Sequence, residues 1–409
     1  HYTGAAPVAA GANIILMLGA LIQWLADTPD AYALLVFGRF LIGCGLETTF
    51  ITWGECYRKA FPASFGLMSG ISTALIMSEI FVAFQVIPVI ANNNSEQDLD
   101  VDGTNFALMV CFLLAVVSAY CSIAVALGFF IEDKKKKASC DGNSDEAVLT
   151  RTFGALAKAA TPGLPAGLAK YKLPLSYFLT VLAIKAMFFY VNTYSLYAVG
   201  VYTEKFGLSE TQAYLATGLA PLLTVPIAPL IGVMTDKYGS RARIGAAVTL
   251  CGAVGLLLLL ITDSPATVWI STVLFAFMTS GTLISLVSIP LITGPARAGL
   301  GYGLYSVIGN GIDALGAYVC GALVASGNNG NTYFLLYSFV VVSFGTICWV
   351  AVYFLEKDMS FLERPADQVV ETKLEMLKAA SVCGVASELD ISSTTREVKE
   401  EEEKPAGSI

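Results

Sequence analysis

The sequence predicts an all-α integral membrane protein. Of its 409 residues, 56% are hydrophobic and 14% are charged, whereas soluble domains carry roughly 25% charged residues. A membrane-spanning helix needs roughly 20 consecutive, mostly apolar residues. Ten runs of this kind lie at residues 5–26, 32–53, 65–91, 106–131, 174–202, 212–235, 244–262, 267–289, 299–325 and 333–355. We therefore expect ten spanning helices.

Basic residues fall on alternate connections between these runs, and this asymmetry sets the predicted orientation. Lys and Arg in short loops mark the cytoplasmic side of a membrane. The connections after the second, fourth, sixth and eighth runs carry Arg58, Lys59, Lys134–Lys137, Lys237, Arg241, Arg243 and Arg297, whereas the opposite connections carry only Lys205. We therefore expect the former connections and the C-terminal tail to be cytosolic.

The same pattern divides the chain into four predicted segments. Residues 1–131 form an N-terminal helical half, 132–172 a cytosolic loop, 173–356 a C-terminal helical half, and 357–409 an acidic cytosolic tail. The tail has twelve acidic and seven basic residues and too little apolar surface to fold alone, so we expect it to be disordered. The net charge of -8 comes mainly from this tail and the acidic loop at 93–104. No nucleic-acid partner is therefore expected.

Several chemistries are disfavoured by the residues present. The nine cysteines form no C-x-x-C pair, and the one histidine is His1, so we expect no metal site and no cofactor. No nucleophile and base stand in a recognisable motif, so an enzyme is not expected. In the acidic loop, Asn93-Asn94-Ser95 fits the N-glycosylation pattern, which makes Asn93 a candidate acceptor.

Two motifs and a repeat carry the family relationship. The loop GVMTDKYGSRAR contains Gly232, Asp236, Lys237, Gly239 and Arg241, and the second run contains GRFLIGCGLE with Arg39, Gly43, Gly45 and Glu47. The segment FGLMSGIS at 65–72 returns as YGLYSVIG at 302–309, an offset of 237. Both copies begin a span on the predicted cytoplasmic side, as expected for two parallel halves.

These segments resemble the major facilitator superfamily of transporters. The resemblance implies two pseudo-symmetric six-helix halves, with the charged loop and with Arg39, Gly43 and Gly45 of GRFLIGCGLE serving conformational gating. The glycines are expected to let helices approach closely. Within the superfamily, the same motifs, with VYTEKFGLSETQA and GYGLYSVIGNG, resemble lysosomal dipeptide transporters. Counting back 237 from Asp236 passes the start of the chain, so the first two of twelve helices are expected to be missing.

Five ionisable residues fall near the middle of predicted spans: Arg39, Glu47, Glu79, Lys185 and Asp313. Each costs at least roughly 2.5 to 3.5 kcal/mol at that depth, so we expect them to line a water-filled cavity. Arg39, Gly43 and Glu47 recur every four residues and share one side of a helix. The full set of candidate substrate-binding residues is Glu47, Thr73, Glu79, Lys185, Tyr190, Asn192, Asn310 and Asp313.

By resemblance, Glu47 matches the acid that receives a peptide's amino terminus, and an ion pair with Lys185 is the alternative. The family's carboxylate-binding arginine is replaced here by Thr73, and Lys185 or Arg39 could supply the lost charge. Tyr190 and Asn192 belong either to the binding surface or to an interhelical hydrogen-bond seam. Asn310 and Asp313 lie three apart and so share a face.

The expected function is secondary transport of a small polar solute, dipeptides or related amino-acid compounds, by alternating access. Glu79 and Asp313 could couple it to protons, although a uniporter needs no such coupling. The alternatives are transport of a sugar or monocarboxylate, or a non-transporting solute receptor or scaffold. The resemblance implies a lysosomal or vacuolar membrane and a glycosylated luminal accessory subunit, with the plasma membrane as the alternative location. The lipid bilayer and the solute are the other expected partners.

Overall fold

The computed structural model describes residues 5–26, 31–61, 64–93, 173–293, 298–327 and 329–356, with isolated residues at 109, 112, 113, 116, 117, 120 and 362. Residues 1–131 and 174–366 form one compact unit, and residues 132–173 with 367–409 form a second. Every element below lies in the first unit. Each regular element in the described ranges is helical, which confirms the predicted all-α class.

The helices follow the apolar runs closely. In chain order they are α1 (Ala5–Leu25), α2 (Tyr32–Ala60), α3 (Phe65–Asn93), α4 (Leu175–Phe189), a π-helical turn (Tyr190–Tyr194), α5 (Ser195–Phe206), α6 (Glu210–Tyr238), α7 (Arg241–Ile261), α8 (Pro265–Ser280), α9 (Leu283–Thr293), α10 (Ala298–Val324) and α11 (Gly330–Glu356). Among the described residues, eight helices are long and apolar enough to span a membrane, with α4, the π turn and α5 counted as one. The expected span at 106–131 lies largely outside the described residues.

The expected span at 267–289 is not one helix, because it breaks at Gly281 and Thr282 between α8 and α9. A break in a membrane must leave few backbone groups unsatisfied. Here backbone bonds of the i to i–3 type satisfy the break: the Gly281 N–H donates to the Met278 carbonyl and the Thr282 N–H to the Thr279 carbonyl, both at 3.1 Å. Thr282 Oγ1 also donates to the Thr279 carbonyl, at 2.7 Å. Hydropathy alone could not reveal this interruption, since all these residues fit an apolar run.

The π-helical turn also interrupts a predicted continuous span. It covers Tyr190–Tyr194 and is followed directly by α5. Single π turns inside α-helices frequently mark functional sites. This one carries Asn192, whose side chain contacts α10.

A sharp turn joins α6 to α7. Helix α6 begins at a capping box, in which Ser209 and Gln212 bond each other's backbone N–H. It ends at Gly239 with φ of 66°, and Ser240 follows with φ of 48°. A glycine adopts such a left-handed conformation without steric cost. The turn therefore depends on Gly239, as the motif predicted for a short loop.

Two helix pairs pack through glycines. Helices α1 and α2 meet where Gly19 faces Gly38 and where Gly45 faces the backbone of Ala12 and Leu16. Helices α3 and α6 run antiparallel, since Gly66 meets Gly232 and Gly70 meets Ala228. Further along the same pair, Gln85 Nε2 donates to the Tyr214 carbonyl at 3.5 Å. The α3–α6 contact thus extends over most of both helices.

The later helices enclose a dense aromatic core. Its largest fully buried side chains include Trp349, Tyr177, Tyr190, Tyr194, Tyr202, Phe275 and Phe334. The Trp349 ring of α11 lies directly against Gly245 of α7, where a Cβ would meet the ring. This core fixes the rotation of α4 about its own axis, and that rotation determines which of its side chains face α10.

Candidate functional site

A polar stripe on α10 forms the centre of the site. Ser306, Gly309 and Asp313 follow one another at spacings of three and four, which places them on one face of the helix. Each of them meets a side chain from another helix: Ser306 meets Glu47, Gly309 meets Lys185, and Asp313 meets both Lys185 and Asn192. The three residues therefore join α2, α4 and the π turn at one place.

Lys185 and Asp313 form an ion pair within the membrane-spanning part of the molecule. Lys185 Nζ lies 2.9 Å from Asp313 Oδ2, with side-chain exposures of 5% and 15%. Asn192 Nδ2 donates to the same oxygen at 2.8 Å. The ammonium also lies 5.0 Å from the centre of the Tyr305 ring, a distance at which an aromatic face attracts a cation. Neither charge is therefore left uncompensated.

Gly309 provides the space for the Lys185 side chain. A Cβ placed on Gly309 would overlap Lys185 Cε and approach its Nζ and Cδ. Any larger residue would have to push the lysine off α10. The glycine is thus a positioning residue for the ion pair, through shape and not through a chemical group.

Glu47 and Ser306 connect the first helices to the later ones. Ser306 Oγ donates to Glu47 Oε2 at 2.6 Å, a short distance typical of a bond to a charged acceptor. The alternative expectation, an ion pair between Glu47 and Lys185, is wrong in this structure because Lys185 is bonded to Asp313. Glu47 is only partly buried, so one carboxylate oxygen is held while the group stays open to a ligand.

Among the described residues, the face of α2 that carries Glu47 makes few other contacts. Arg39 and Gly43 are both exposed, and no described atom lies within 4 Å of a Cβ added to Gly43. In the part of the chain that the structure describes, Gly43 therefore meets no other helix, contrary to the expectation that it permits close helix approach. Gly45 does serve that role, together with Gly38, because both point from α2 toward α1. Gly43 and Gly45 thus lie on opposite sides of α2.

Tyr190 does not contribute to this polar site. Its side chain is 1% exposed, and its hydroxyl donates to the Thr217 carbonyl of α6 at 2.9 Å. Its ring packs against Phe275 and Tyr194. The interhelical seam, which was the alternative interpretation, describes Tyr190. Asn192, two residues along, belongs to the site instead.

The other candidate residues are dispersed. Thr73 is buried on α3, whereas Glu79 on the same helix and Asn310 on α10 are exposed. The structure does not bring these three into the contacts between Glu47, Ser306, Lys185 and Asp313. Asn93, the glycosylation candidate, is the last residue of α3, and the rest of its triplet lies outside the described residues.

Asp236 of the charged loop binds the start of α3. Its Oδ1 accepts from the Gly66 N–H and its Oδ2 from the Leu67 N–H, both at 2.8 Å. The first N–H groups of a helix lack partners within the helix, and they attract negative charge. Asp236 therefore supplies both the hydrogen-bond acceptors and the negative charge that the start of α3 lacks. It lies 170 residues from Gly66 and 169 residues from Leu67 along the chain.

Among the remaining motif residues, Gly232, Gly239 and Arg241 contribute to the position of this carboxylate. Gly232 lets α6 approach the backbone of Gly66, and a Cβ there would overlap the Gly66 carbonyl oxygen. Gly239 forms the turn. Arg241 is buried at the start of α7 and interacts electrostatically with Asp236. Lys237 is exposed, with Nζ 5.4 Å from the centre of the Tyr238 ring.

Ser306 and Gly309 are the two site residues that the sequence did not single out. The repeat YGLYSVIG contains both of them, as its fifth and eighth residues. Their spacing from Asp313 is helical, and this was the available signal. A serine and a glycine are common in membrane helices, so neither stood out until the partner helices were placed.

The arrangement binds charge but offers no covalent chemistry. One acid with a single donated hydrogen bond lies on one side, and one neutralised cation lies on the other. Among the described residues, no group of three His, Cys, Asp or Glu side chains could hold a metal ion.

Comparisons with known proteins agree with this architecture. The family model described as Major Facilitator Superfamily matches residues 2–317 and 181–382. A solved structure from a study titled "Structural insights into substrate recognition in proton dependent oligopeptide transporters" is similar, with a TM-score of 0.52, 17% identity, and coverage of 87% of this chain and 85% of that one. A second, a bacterial homologue of human drug peptide transporters, gives a TM-score of 0.54 at 15% identity with the same coverages. Among curated proteins, none matches this chain.

Proposed function

We propose that this chain, which belongs to the Major Facilitator Superfamily, transports dipeptides or closely related amino-acid solutes by alternating access. It is a multi-pass membrane transporter of a small solute and not an enzyme. The proposal concerns the substrate, the mechanism and the roles of the site residues. The observation that carries it is that an open acid, Glu47, and a cation, Lys185, contact the same polar stripe of α10 at different levels.

The axial spacing along α10 fits a dipeptide. A helix rises about 1.5 Å per residue, so Gly309 lies about 4.5 Å and Asp313 about 10 Å beyond Ser306. Lys185 Nζ falls between these last two levels, because its side chain crosses Gly309 and bonds Asp313. Two extended residues span at most about 7 Å and one residue about 3.6 Å. The length of an extended dipeptide therefore matches the separation of these levels along the helix axis.

Each end of such a solute has a chemically suitable partner. The ammonium group would bind Glu47, whose Oε2 is already oriented by Ser306. The carboxylate would bind Lys185, which takes the role that Thr73 does not fill. Arg39 is a poorer choice, since it is exposed eight residues before Glu47 on the same helix. The titles of the two similar structures concern peptide transporters, which supports the same substrate class.

Movement would occur as a rocking of the two predicted halves about this site. Residues 1–131 would form one half and 173–356 the other, with 132–172 as the connecting loop and 357–409 as the tail. Asp236 would close the cytoplasmic side by holding the start of α3 and would release it when that side opens. Gly45, Gly232, Gly239, Lys237 and Arg241 would support this gate.

The cellular setting follows the resemblance to major facilitator superfamily domain-containing protein 1, a lysosomal dipeptide transporter. We place the protein in a lysosomal or vacuolar membrane with its tail in the cytosol, and with a glycosylated luminal accessory subunit as a partner. Transport would be either uniport or proton symport. Organelle staining of the tagged protein beside a lysosomal marker tests the location.

Uptake by proteoliposomes tests the function directly. The full-length protein is reconstituted and offered dipeptides, free amino acids, sugars and monocarboxylates, alongside the variant Glu47→Gln. We expect saturable dipeptide uptake that falls at least about tenfold in the variant, since an amide lacks the charge that holds an ammonium. The matched control is Asp263→Asn, whose carboxylate is 82% exposed and should leave uptake unchanged.

The other outcomes point elsewhere. Uptake of a sugar or monocarboxylate without dipeptide uptake would overturn the substrate class and leave the family in place. Binding of a dipeptide without uptake or exchange would indicate a receptor.

A further inference from the structure

Asp313 already forms an ion pair with Lys185, the cation that the carboxylate of the proposed substrate would bind. Lys185 Nζ bonds Asp313 Oδ2 at 2.9 Å, and only 5% of the lysine side chain is exposed. The positive charge is therefore neutralised before any solute arrives. An incoming carboxylate cannot gain the full attraction of Lys185 unless it takes the lysine from Asp313.

We propose that Asp313 is an internal counter-ion that holds the place of the solute's carboxylate on Lys185 and is displaced when the solute binds. This inference rests on the proposed function, because it concerns the same site. It narrows the ligand class to solutes with a free carboxylate that competes with Asp313. It also makes Asp313 a residue that weakens binding and speeds release.

Asn192 lowers the free-energy cost of separating Asp313 from Lys185. Removing one member of a buried ion pair is strongly unfavourable, because the other charge stays behind without compensation. Asn192 Nδ2 donates to the same Asp313 oxygen as Lys185 does, at 2.8 Å. When Lys185 leaves, Asp313 keeps this charge-assisted hydrogen bond. The π turn that carries Asn192 therefore supplies a resting partner for the displaced acid.

Lys185 also has somewhere to move. Its Nζ lies 5.0 Å from the Tyr305 ring centre and 5.6 Å from the Phe188 ring centre. Aromatic faces attract a cation at such distances. Tyr305 directly precedes Ser306, so it lies toward the Glu47 end of the stripe. A lysine that leaves Asp313 can thus turn toward the solute and remain over an aromatic ring.

The test compares a dipeptide with its C-terminal amide. Binding of both to the purified full-length protein is measured by isothermal titration calorimetry. The dissociation constant of the amide divided by that of the free dipeptide is the ratio that reports the preference for a carboxylate. We expect Asp313→Asn to raise this ratio by about tenfold, because a hydrogen bond to a charged group is no longer being exchanged for another. Asp263→Asn serves as the matched acid-to-amide control and should not change the ratio.

A double variant guards against loss of folding. Lys185→Met with Asp313→Asn removes both charges, so no unpaired buried charge remains, and we expect its ratio to fall to about one. An unchanged ratio in Asp313→Asn, or a retained carboxylate preference in the double variant, overturns the inference while the proposed function stands. If the wild-type protein binds neither compound, the proposed function fails, and this inference fails with it.

Discussion

The α3–α6 and α2–α10 contacts both join the first three helices to later ones, and they differ in kind. Helices α3 and α6 pack backbone to backbone, from Gly66 and Gly232 at one end to Gln85 and Tyr214 at the other. Helices α2 and α10 meet around one hydrogen bond from Ser306 to Glu47, and both are largely exposed along their spans. The first contact is a packed seam, and the second is a polar bridge beside open space.

The difference shows which contact resists small displacements and which contact can exchange its partner. A glycine seam buries backbone closely, and small displacements there produce overlap. A bridge through one polar pair can exchange its partner for a solute or for water. One end of the seam is fixed by Asp236 of α6, which binds the start of α3. The bridge is made by the Glu47 side chain, which a ligand can reach. Variants at the two contacts should therefore affect different observables.

Gly232→Ala should have the largest effect, on stability. The added Cβ would overlap the carbonyl oxygen of Gly66, and a backbone atom in a packed seam cannot move aside cheaply. Overpacking of this kind costs about 1–3 kcal/mol. Thermal unfolding in detergent should show a clearly lowered melting temperature. An unchanged melting temperature would mean that the α3–α6 seam is not closely packed.

Gly43→Ala is the matched control on the other contact. No described atom lies within 4 Å of the added Cβ, and alanine is a better helix former than glycine by about 1 kcal/mol. The melting temperature should stay the same or rise slightly. A drop comparable to that of Gly232→Ala would show that α2 packs against something at Gly43.

Asp236→Asn should weaken the gate by an intermediate amount. The amide keeps one acceptor oxygen but loses the charge that faces the start of α3 and the buried Arg241. Helix caps contribute about 0.5–2 kcal/mol. Spin labels on the cytoplasmic ends of α3 and α6 should report a larger open population by double electron–electron resonance. No shift relative to Asp263→Asn would remove Asp236 from the gate.

Ser306→Ala should have the smallest effect, on affinity alone. Glu47 is partly exposed, so water replaces the lost hydroxyl, and we expect the KM for dipeptide uptake to rise by about threefold. The melting temperature should not change. Ser338→Ala is the control, since that serine bonds only the Phe334 carbonyl of its own helix among the described residues. A fall in kcat with unchanged KM would contradict the positioning of Glu47 by Ser306.

The polar site was predicted in part. Glu47, Lys185 and Asp313 stood out because an ionisable residue in an apolar run is costly and needs a partner. Their pairing could not be read from the sequence, since Lys185 and Asp313 are 128 residues apart and the pairing depends on how each helix is rotated. Tyr190 could not be assigned to the binding surface or to an interhelical seam for the same reason: the rotation of its helix turns it toward α6 and Phe275, which is the seam.

The chain by itself determined what is local. Runs of apolar residues determine the spanning helices, because the bilayer thickness fixes how many consecutive apolar residues one span needs. The turn at Gly239 and the acid at Asp236 follow from short-range backbone conformation and charge. Tertiary structure decided what depends on contact between distant segments: the break at Gly281, the opposite directions of Gly43 and Gly45, and the choice of Asp313 over Glu47 as the partner of Lys185. Helix rotation and packing set these features, and they act only once the helices have assembled.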